Sequence, residues 1–329
     1  MKNAIKVICF VLAVLIIGVS SCYIYFTWDV GDFEVVNGSE RGTVIITNYI
    51  GNSKDIVIPN TLRGKKVVSI DNSAFQGEDI ESVVIGENVK SVGQNAFQKC
   101  ESLKKVDMGA SLEALGNMAF ANCPKLVEVK FSPILKELGH MVFGNNENEI
   151  KIDLNGNKNF AFDNGILYSG DYKIIYESLI GADLSEYVLP ETVVELRPYA
   201  FYSQPELKKI TINSGITSIP EGCFIECSSM TELVLPDTVT TIGTVVLAGS
   251  GINTVTIPDS VVKIDDYAFV KDGLEVNIAD KLQGKDEGDA EADAKVDPEK
   301  MITIVTTEGS FASTFARRHS YNLKIVDTL

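Results

Sequence analysis

Large apolar residues, most often the Phe of an Ala-Phe pair, recur along the chain at a nearly constant spacing. They stand at Phe75, Phe97, Phe120, Phe143, Phe201, Phe224, Leu247 and Phe269, so the steps are 22, 23, 23, 58, 23, 23 and 22 residues. Self-similarity with a period of about 20 to 50 residues is typical of solenoids. The spacing therefore predicts a stack of coils of about 23 residues, each of which buries its core only against its neighbours.

Each copy of the unit carries the same six apolar positions. Ile210 and Ile212 flank polar Thr211, and this period of two predicts a short strand with Thr211 on the outer face. Proline follows several of these strands, where its missing N–H ends the ladder. One copy has its apolar positions at Leu207, Ile210, Ile212, Ile216, Ile219 and Phe224, and the strands are followed by Pro59, Pro190, Pro236 and Pro258.

The repeat resembles that of the BspA-like leucine-rich-repeat proteins of bacterial cell surfaces, whose unit reads roughly I-P-x-x-V-x-x-I-x-x-x-A-F-x-x-C-x-x-L. The matching residues include Ile257-Pro258, Val261, Ile264, Ala268-Phe269 and Phe97-x-x-Cys100-x-x-Leu103. The resemblance implies a right-handed solenoid, rich in β-strands with short helical turns, over residues 31–329. It also implies a first coil or cap at 31–75 and a C-terminal cap at 301–329, where Glu308-Gly309-Ser310-Phe311-Ala312 and Phe315-Ala316 match the terminal phrase.

The 58-residue step between Phe143 and Phe201 departs from strict repetition. Its surplus contains two apolar runs, at 166–168 and 174–176, separated by Ser169-Gly170-Asp171. Glycine supplies the positive φ that hairpin turns require. We therefore predict an island hairpin at about 155–180, either as a longer coil within the stack or as an insertion dedicated to a partner.

The N-terminus carries a membrane-insertion signal. Lys2 and Lys6 precede an uncharged, mostly apolar run over residues 7–26, and twenty residues of helix span about 30 Å, the thickness of the hydrocarbon layer. We expect residues 1–30 to be a signal peptide or a single-pass anchor with the repeats outside the cell. Val19-Ser20-Ser21-Cys22 fits a bacterial lipobox, which makes Cys22 a lipidation candidate, whereas the apolar run continues past that cut and favours an uncleaved helix.

The chain is acidic, with a net charge of −16. This charge argues against nucleic acid as a partner, because phosphates need a basic face. Acidic residues are concentrated at 280–300, among Gly and Ala, so we predict a solvated insertion there. The spacing of Asp289, Glu291 and Asp293 suggests a calcium loop, but Ala294 and Lys300 stand where an EF-hand needs Gly and an acid, so no metal site is assigned.

The sequence offers no catalytic constellation. Cys100, Cys123 and Cys227 each follow a repeat Phe by three residues and Cys223 precedes one, so we interpret them as buried core thiols. His140 and His319 form no metal motif and are interpreted as surface residues, and no nucleophile elbow or phosphate-binding loop is present. We therefore predict no enzyme activity, no cofactor and no metal.

The outward strand positions form a column that is mixed in charge and rich in Thr and Val, without an aromatic ladder for sugars. It includes Ser82, Val84, Lys105, Asp107, Glu128, Lys130, Lys209, Thr211, Glu232, Val234, Thr254 and Thr256. A flat face of this kind suits an extended protein partner, although no ligand-binding residue is assigned. The first hypothesis is a membrane-tethered, adhesin-like binding module for proteins of a host, matrix or neighbouring cell. The alternative is a scaffold protein that contacts partners in its own bacterial envelope.

Overall fold

The computed structural model describes residues 28–270 and 302–329. The predicted membrane segment at 7–26, the lipidation candidate Cys22 and the predicted acidic insertion at 280–300 lie outside these ranges. Within them, no helix is long and apolar enough to cross a membrane. The chain divides into two compact units, Met1–Asn157 and Lys158–Leu329, which we call unit 1 and unit 2.

Unit 1 is built from short strands, because each coil has only a few residues with alternating apolar and polar side chains. Its strands are β1 (Trp28–Val30), β2 (Phe33–Asn37), β3 (Thr43–Tyr49), β4 (Asp55–Val57), β5 (Thr61–Leu62), β6 (Lys65–Ile70), β7 (Ser82–Val84), β8 (Ser91–Val92), β9 (Lys105–Asp107), β10 (Ala114–Leu115), β11 (Glu128–Lys130), β12 (Glu137–Leu138) and β13 (Lys151–Asp153).

These strands form two sheets. Sheet 1 has the order β4-β7-β9-β11-β13, and every neighbouring pair is parallel. Its central residues stand in register one coil apart, with Val83 opposite Val106 and Val106 opposite Val129. Sheet 2 begins with the antiparallel strands β1, β2 and β3 and continues in parallel through β6, β8, β10 and β12, while β5 pairs with β6. The predicted coil-on-coil pairing is present in unit 1 from β3 and β4 onward.

The repeat Phe residues form the spine of the core. In unit 1, the ring centroids of Phe75 and Phe97 are 4.7 Å apart and those of Phe97 and Phe120 are 5.1 Å apart, with nearly parallel planes. In unit 2, Phe201 and Phe224 stack at 5.7 Å. All of these rings are buried. A fixed Phe in every coil therefore places one ring directly against the next.

The tight stretch around each Phe depends on left-handed residues. In the repeats from Phe75 to Leu247, the backbone has positive φ two residues before the large apolar residue and two residues after it, as at Asn95 (57°) and Lys99 (62°). Side chains with a Cβ are disfavoured there, yet Met118, Tyr199 and Val245 occupy the first of these positions. Hydrogen-bonded turns surround the Phe of each described repeat, rather than the short helical turns that the resemblance implied.

Unit 2 contains the strands β14 (Phe160–Asp163), β15 (Ile166–Ser169), β16 (Ile174–Ser178), β17 (Glu186–Val188), β18 (Glu195–Leu196), β19 (Lys209–Thr211), β20 (Ser218–Ile219), β21 (Glu232–Val234), β22 (Thr241–Ile242), β23 (Thr254–Thr256), β24 (Lys263–Ile264), β25 (Thr303–Thr307) and β26 (Asn322–Val326). They form sheet 3 (β14-β15-β16-β18), sheet 4 (β17-β19-β21), sheet 5 (β20-β22-β24) and sheet 6 (β23-β25-β26).

The predicted island hairpin is an antiparallel meander with one strand more than expected. β15 and β16 pair across Ser169-Gly170-Asp171 as predicted, and β14 pairs antiparallel with β15. The loop between β14 and β15 is Asn164-Gly165, both with positive φ, which is the preferred composition of a two-residue hairpin turn. β16 then continues in parallel with β18, so the meander is joined to the repeat pairing of unit 2.

The residues predicted to form the C-terminal cap contain α1 (Phe311–Arg318), the one α-helix in the described parts of the chain. Its N-cap is Ser310, whose side chain accepts a hydrogen bond from the Ser313 backbone N–H. Phe315 on its buried side packs edge-on against Phe269, with ring centroids 6.3 Å apart. The helix thus covers the last ring of the repeat column.

Candidate interaction surfaces

The outward residues of sheet 1 form two charged ladders. One ladder is Lys105, Glu128 and Lys151, and the other is Asp107, Lys130 and Asp153; their members are in register on β9, β11 and β13. Lys105 Nζ lies 2.8 Å from Glu128 Oε2, and Lys130 Nζ lies 3.1 Å from Asp107 Oδ2. Every charge therefore has neighbours of the opposite sign.

A third charged ladder precedes the strands of sheet 2 and consists of Lys90, Glu113 and Lys136. The Glu113 carboxylate forms ion pairs with both lysines, and its oxygens lie 2.9 Å from Lys136 Nζ and 3.3 Å from Lys90 Nζ. The hydrogen bond from Lys136, followed by that from Lys90, lowers the pKa of the Glu113 carboxyl below its usual range. Unit 1 thus presents alternating charges on both of its sheets.

Two of the three matching positions of unit 2 are uncharged. On sheet 4, Val188, Thr211 and Val234 stand in register where unit 1 has the second charged ladder. Val188 keeps 64% of its surface exposed and Val234 keeps 37%. The neighbouring column remains charged, with Glu186, Lys209 and Glu232 in register and Lys209 Nζ 2.7 Å from Glu232 Oε1. We call Val188, Thr211 and Val234 the first uncharged column.

The second uncharged column precedes the strands of sheet 5 and the neighbouring β18, and consists of Val194, Thr217, Thr240 and Val262. Val194 and Val262 are 51% and 63% exposed. The Thr240 hydroxyl donates to the Thr217 carbonyl of the preceding coil at 3.1 Å. The position that holds Lys90, Glu113 and Lys136 in unit 1 therefore presents methyl-bearing side chains in unit 2.

The position three residues after the repeat Phe is a buried polar column. Cys100, Cys123 and Cys227 each place a thiol against the Phe carbonyl of the preceding coil, with Sγ to oxygen distances of 3.1, 3.2 and 3.0 Å. At the same position, Asn146 donates to the Phe120 carbonyl and Gln204 to the Ser178 carbonyl. The shared requirement is a small or slender hydrogen-bond donor that satisfies a buried carbonyl.

The cysteines have the burial that the repeat frame predicts. Cys100, Cys123, Cys223 and Cys227 are fully buried and not disulfide-bonded. Burial raises the pKa of Cys123 and of Cys227 to about 12 and also raises the pKa of Cys100 and Cys223. Thiols with such values carry almost no thiolate at neutral pH and are poor nucleophiles.

The histidines are less exposed than the sequence suggested. His140 is half-buried, and its Nδ1 has no solvent access. His319 follows α1, stacks on Phe315 at 4.5 Å and lies 3.4 Å from Asp266 Oδ1. Across residues 28–270 and 302–329, no group of three or more His, Cys, Asp and Glu side chains is placed to hold a metal ion.

Unit 2 also contains polar aromatic contacts that the repeat pattern did not indicate. The hydroxyls of Tyr168 and Tyr187 are 2.9 Å apart. Arg197 places its guanidinium 5.8 Å from the ring centroid of Tyr176, at a repeat position that is Gly93, Gly116 and Gly139 in unit 1. The sequence contained this signal, because Arg197 replaces glycine at the residue that follows the second strand of its coil.

Known proteins share both the repeat and the fold. The family model for the BspA type leucine rich repeat region matches six copies over residues 68–178 and 158–275, more than half of the chain. The crystal structure of the pneumococcal vaccine antigen PcpA is similar with a TM-score of 0.59 and 16% identity, over 92% of this chain and 97% of that one. Because the identity is low, PcpA supports the fold alone.

Two further solved structures are similar over part of the chain. The crystal structure of a leucine rich repeat protein from T. pallidum is 25% identical with a TM-score of 0.40, over 66% of this chain and 86% of that one. A leucine rich cell surface protein from Faecalibacterium prausnitzii is 19% identical with a TM-score of 0.33, over 74% and 91%. None of the curated proteins matches the chain. The fold is a leucine-rich-repeat β-solenoid with units of about 23 residues.

Proposed function

The chain belongs to the BspA-type leucine-rich-repeat family, and we propose that it is a membrane-tethered, extracytoplasmic module that binds proteins. Family and fold are repeat scaffolds for protein interaction, and proteins of this type are associated with the cell surface. Tethering, and binding to proteins of a host, a matrix or a neighbouring cell, go beyond that family knowledge and are the substance of the proposal.

The observation that carries the proposal is the pair of uncharged columns in unit 2. Val188, Val194 and Val262 each expose more than half of their surface, although the chain as a whole carries a net charge of −16. Exposed apolar residues scattered singly or as one pair, such as Val57 and Val84, need no explanation, whereas two uncharged columns of three and four residues favour an interaction site. Solenoids bind partners along such repeated faces.

The first uncharged column also has the chemistry of a protein-binding strand face. Its members are β-branched, so they lose little rotamer freedom when a partner covers them. An extended segment lying across sheet 4 contacts Val188, Thr211 and Val234 in turn, and the ion pair of Lys209 with Glu232 lies beside them at its edge. Such a face favours an extended polypeptide with apolar side chains.

The tether in this proposal is the apolar segment at 7–26, preceded by Lys2 and Lys6. Positive charge on that side favours an outward repeat array. The tether is either an uncleaved helix or a lipid on Cys22. The intact mass of the membrane-extracted protein separates them, because lipidation at Cys22 removes the first 21 residues and adds acyl chains.

Binding is tested with the full chain in vesicles, applied to a panel of bacterial, host and matrix surface proteins. We expect saturable binding to at least one member, and a loss of about tenfold or more in affinity when Val188→Lys and Val234→Lys are combined, because a charge is then buried at the interface. The absence of saturable binding over the whole panel contradicts the proposal.

The matched control places the same change in unit 1, as Val57→Lys with Val84→Lys. These residues are exposed to 68% and 40% and also occupy the outer column of their sheet. We expect this control to keep its affinity within about twofold. An equal loss in both variants shows that added positive charge, rather than the first uncharged column, weakens binding.

The envelope-scaffold alternative is separated from adhesion by cross-linking in intact cells followed by identification of the partners. Foreign proteins among the cross-linked species support the adhesin-like function. Partners found solely within the same envelope contradict that function and support a scaffold.

A further inference from the structure

We propose that the charged face of sheet 1 is a self-association surface and that its partner is a second copy of this chain. The face consists of Lys105, Asp107, Glu128, Lys130, Lys151 and Asp153, which we call the checkerboard. This inference concerns unit 1; it is independent of the partner proposed for unit 2, but it rests on the membrane tether proposed above.

The checkerboard has three rows, one for each strand. Along β9 the outward charges are positive then negative, along β11 negative then positive, and along β13 positive then negative. Because the strands are parallel and in register, the signs also alternate from row to row. Three lysines and three acids sum to zero, so this face lacks the repulsion that a net charge of −16 otherwise imposes between copies.

The symmetry of this pattern selects one way of docking. A two-fold axis that runs along the stacking direction, between two facing copies, keeps each row in place and exchanges its two ends. Lys105 then faces Asp107 of the second copy, Glu128 faces Lys130 of the second copy, and Lys151 faces Asp153 of the second copy. Each contact occurs twice, as in any isologous interface, and all six residues meet an opposite charge.

The other two-fold axis, parallel to the strands, reverses the order of the rows. Centred on β11, it sets Lys105 opposite Lys151 of the second copy and Glu128 opposite its own counterpart, so every facing pair repels. Centred between β9 and β11, it keeps four complementary residues and sets Lys151 and Asp153 opposite Ser82 and Val84. Charge complementarity thus favours the first arrangement, in which the coils of both copies stack in the same direction. We call it the parallel arrangement.

The size of the face predicts a weak interaction. The three rows of the checkerboard, about 4.8 Å apart, span only about 10 Å, and all five strands of sheet 1 span about 20 Å. Such a face is smaller than the roughly 800 Å² per partner of a stable complex. Exposed ion pairs also contribute little individually. We therefore infer that association is salt-dependent and becomes significant when copies share one membrane, where the effective concentration is high.

The geometry is tested by cross-linking full chains that carry single cysteines and different affinity tags, co-reconstituted in vesicles. A short bis-maleimide linker is expected to join Lys105→Cys chains to Asp107→Cys chains, and to join Lys105→Cys chains to one another several-fold less. The unmodified chain reports any background from Cys9 and Cys22. Equal yields in the mixed and unmixed samples, or a preference of Lys105→Cys for Glu128→Cys, overturn the parallel arrangement.

The electrostatic basis is tested by a charge exchange within one row, with the cross-linking cysteines in place. Lys130→Glu sets two acids against each other across the interface, so the mixed cross-link should fall about fivefold or more. Adding Glu128→Lys restores the facing pair but leaves like charges next to each other within each chain. Recovery of the cross-link in the double variant therefore supports association, and a further loss overturns it.

Glu113→Lys is the matched control, since it reverses one charge in the ladder of sheet 2 and should leave the cross-link unchanged. Thermal unfolding of each variant reports whether it is folded. If a higher salt concentration, which shortens the Debye length to well below about 10 Å, leaves the yield of the mixed cross-link unchanged, charge does not hold the copies together and the proposal is wrong.

Discussion

On β9, β11 and β13 of unit 1, the residues that follow the inward position are Asp107, Lys130 and Asp153, whereas β4 and β7 hold Val57 and Val84 there. In unit 2, the same position in sheet 4 holds Val188, Thr211 and Val234, with no charge there on any of its strands. On the second side of each coil, Lys90, Glu113 and Lys136 in unit 1 compare with Val194, Thr217, Thr240 and Val262 in unit 2. The inward residues hardly change, since both units bury the same Phe, Leu, Ile and Val positions.

This difference separates two requirements of a repeat protein. An inward residue contacts the coil before and the coil after it, so a change in its volume affects both neighbours. An outward residue contacts mainly solvent, and most substitutions there leave stability nearly unchanged. The two units therefore share a core while differing on their surfaces, which are the part of a solenoid that a partner contacts.

Removal of a stacked ring tests whether the two interiors are equivalent. Phe120→Ala in unit 1 and Phe224→Ala in unit 2 should each lower the free energy of unfolding by about 3 to 5 kcal/mol, because each leaves a cavity in the ring column. Urea unfolding of the full chain measures the loss. A cost below about 1 kcal/mol in either unit shows that its ring column does not support the core.

A smaller effect is expected at the repeat position that holds Gly116 in unit 1 and Gly243 in unit 2, but Arg197 in one coil of unit 2. A Cβ on Gly116 would lie 2.5 Å from the Gln94 backbone nitrogen of the preceding coil, so Gly116→Ala should cost about 1 to 3 kcal/mol. Arg197 occupies the same repeat position in unit 2, and Arg197→Ala should cost about 1 kcal/mol or less, because it removes an exposed ion pair and one cation–π contact.

Hydrogen exchange with detection by mass spectrometry locates these losses. Faster exchange should be confined to the peptides around β8 and β10 for Gly116→Ala. If Arg197→Ala is the more damaging change, the close approach of glycine backbones is not what holds the coils of unit 1 together.

Much of the interior could be predicted from the sequence, because a period of 23 residues assigns every inward position at once. Ile210, Phe224 and Cys227 are buried, as the aligned copies predicted. The left-handed φ of Met118, Tyr199 and Val245 was out of reach, since none of these residues favours that conformation and only the chain around the Phe imposes it. β14 was also missed, because Phe160-Ala161-Phe162 does not alternate between apolar and polar residues.

The surfaces could be predicted only in part. The strand period predicted that Lys105, Asp107, Thr211 and Val234 point outward, but only as members of one column of mixed charge. The residue types of each ladder and column are present in the aligned copies. What the sequence did not supply is which side chains meet, such as Lys105 with Glu128 at 2.8 Å, because that depends on how strands of neighbouring coils pair.

Loss of a single buried thiol tests a feature that the two units share. Cys123→Ala in unit 1 and Cys227→Ala in unit 2 each remove a donor to a buried Phe carbonyl, and each should cost about 1 kcal/mol. Equal losses of unfolding free energy in the two variants, measured by urea unfolding, would show that the interiors of the two units are alike while their surfaces differ. In the unmodified chain, rapid alkylation of these thiols under native conditions would contradict their burial.

The smallest expected effect distinguishes a charged ladder from an uncharged column by its dependence on pH. The two lysines lower the folded-state pKa of Glu113, mainly through the hydrogen bond from Lys136, so the ladder stabilises the fold above the ordinary carboxyl pKa and loses that contribution as pH falls through the lowered value. The melting temperature of Glu113→Gln should therefore lie slightly below that of the unmodified chain at neutral pH and converge with it in acid. Thr240→Val in the second uncharged column should show a difference that does not vary with pH, because neither side chain titrates. If the Glu113→Gln difference persists unchanged in acid, the ladder acts through packing rather than charge, and the electrical contrast between the two units has no effect on stability.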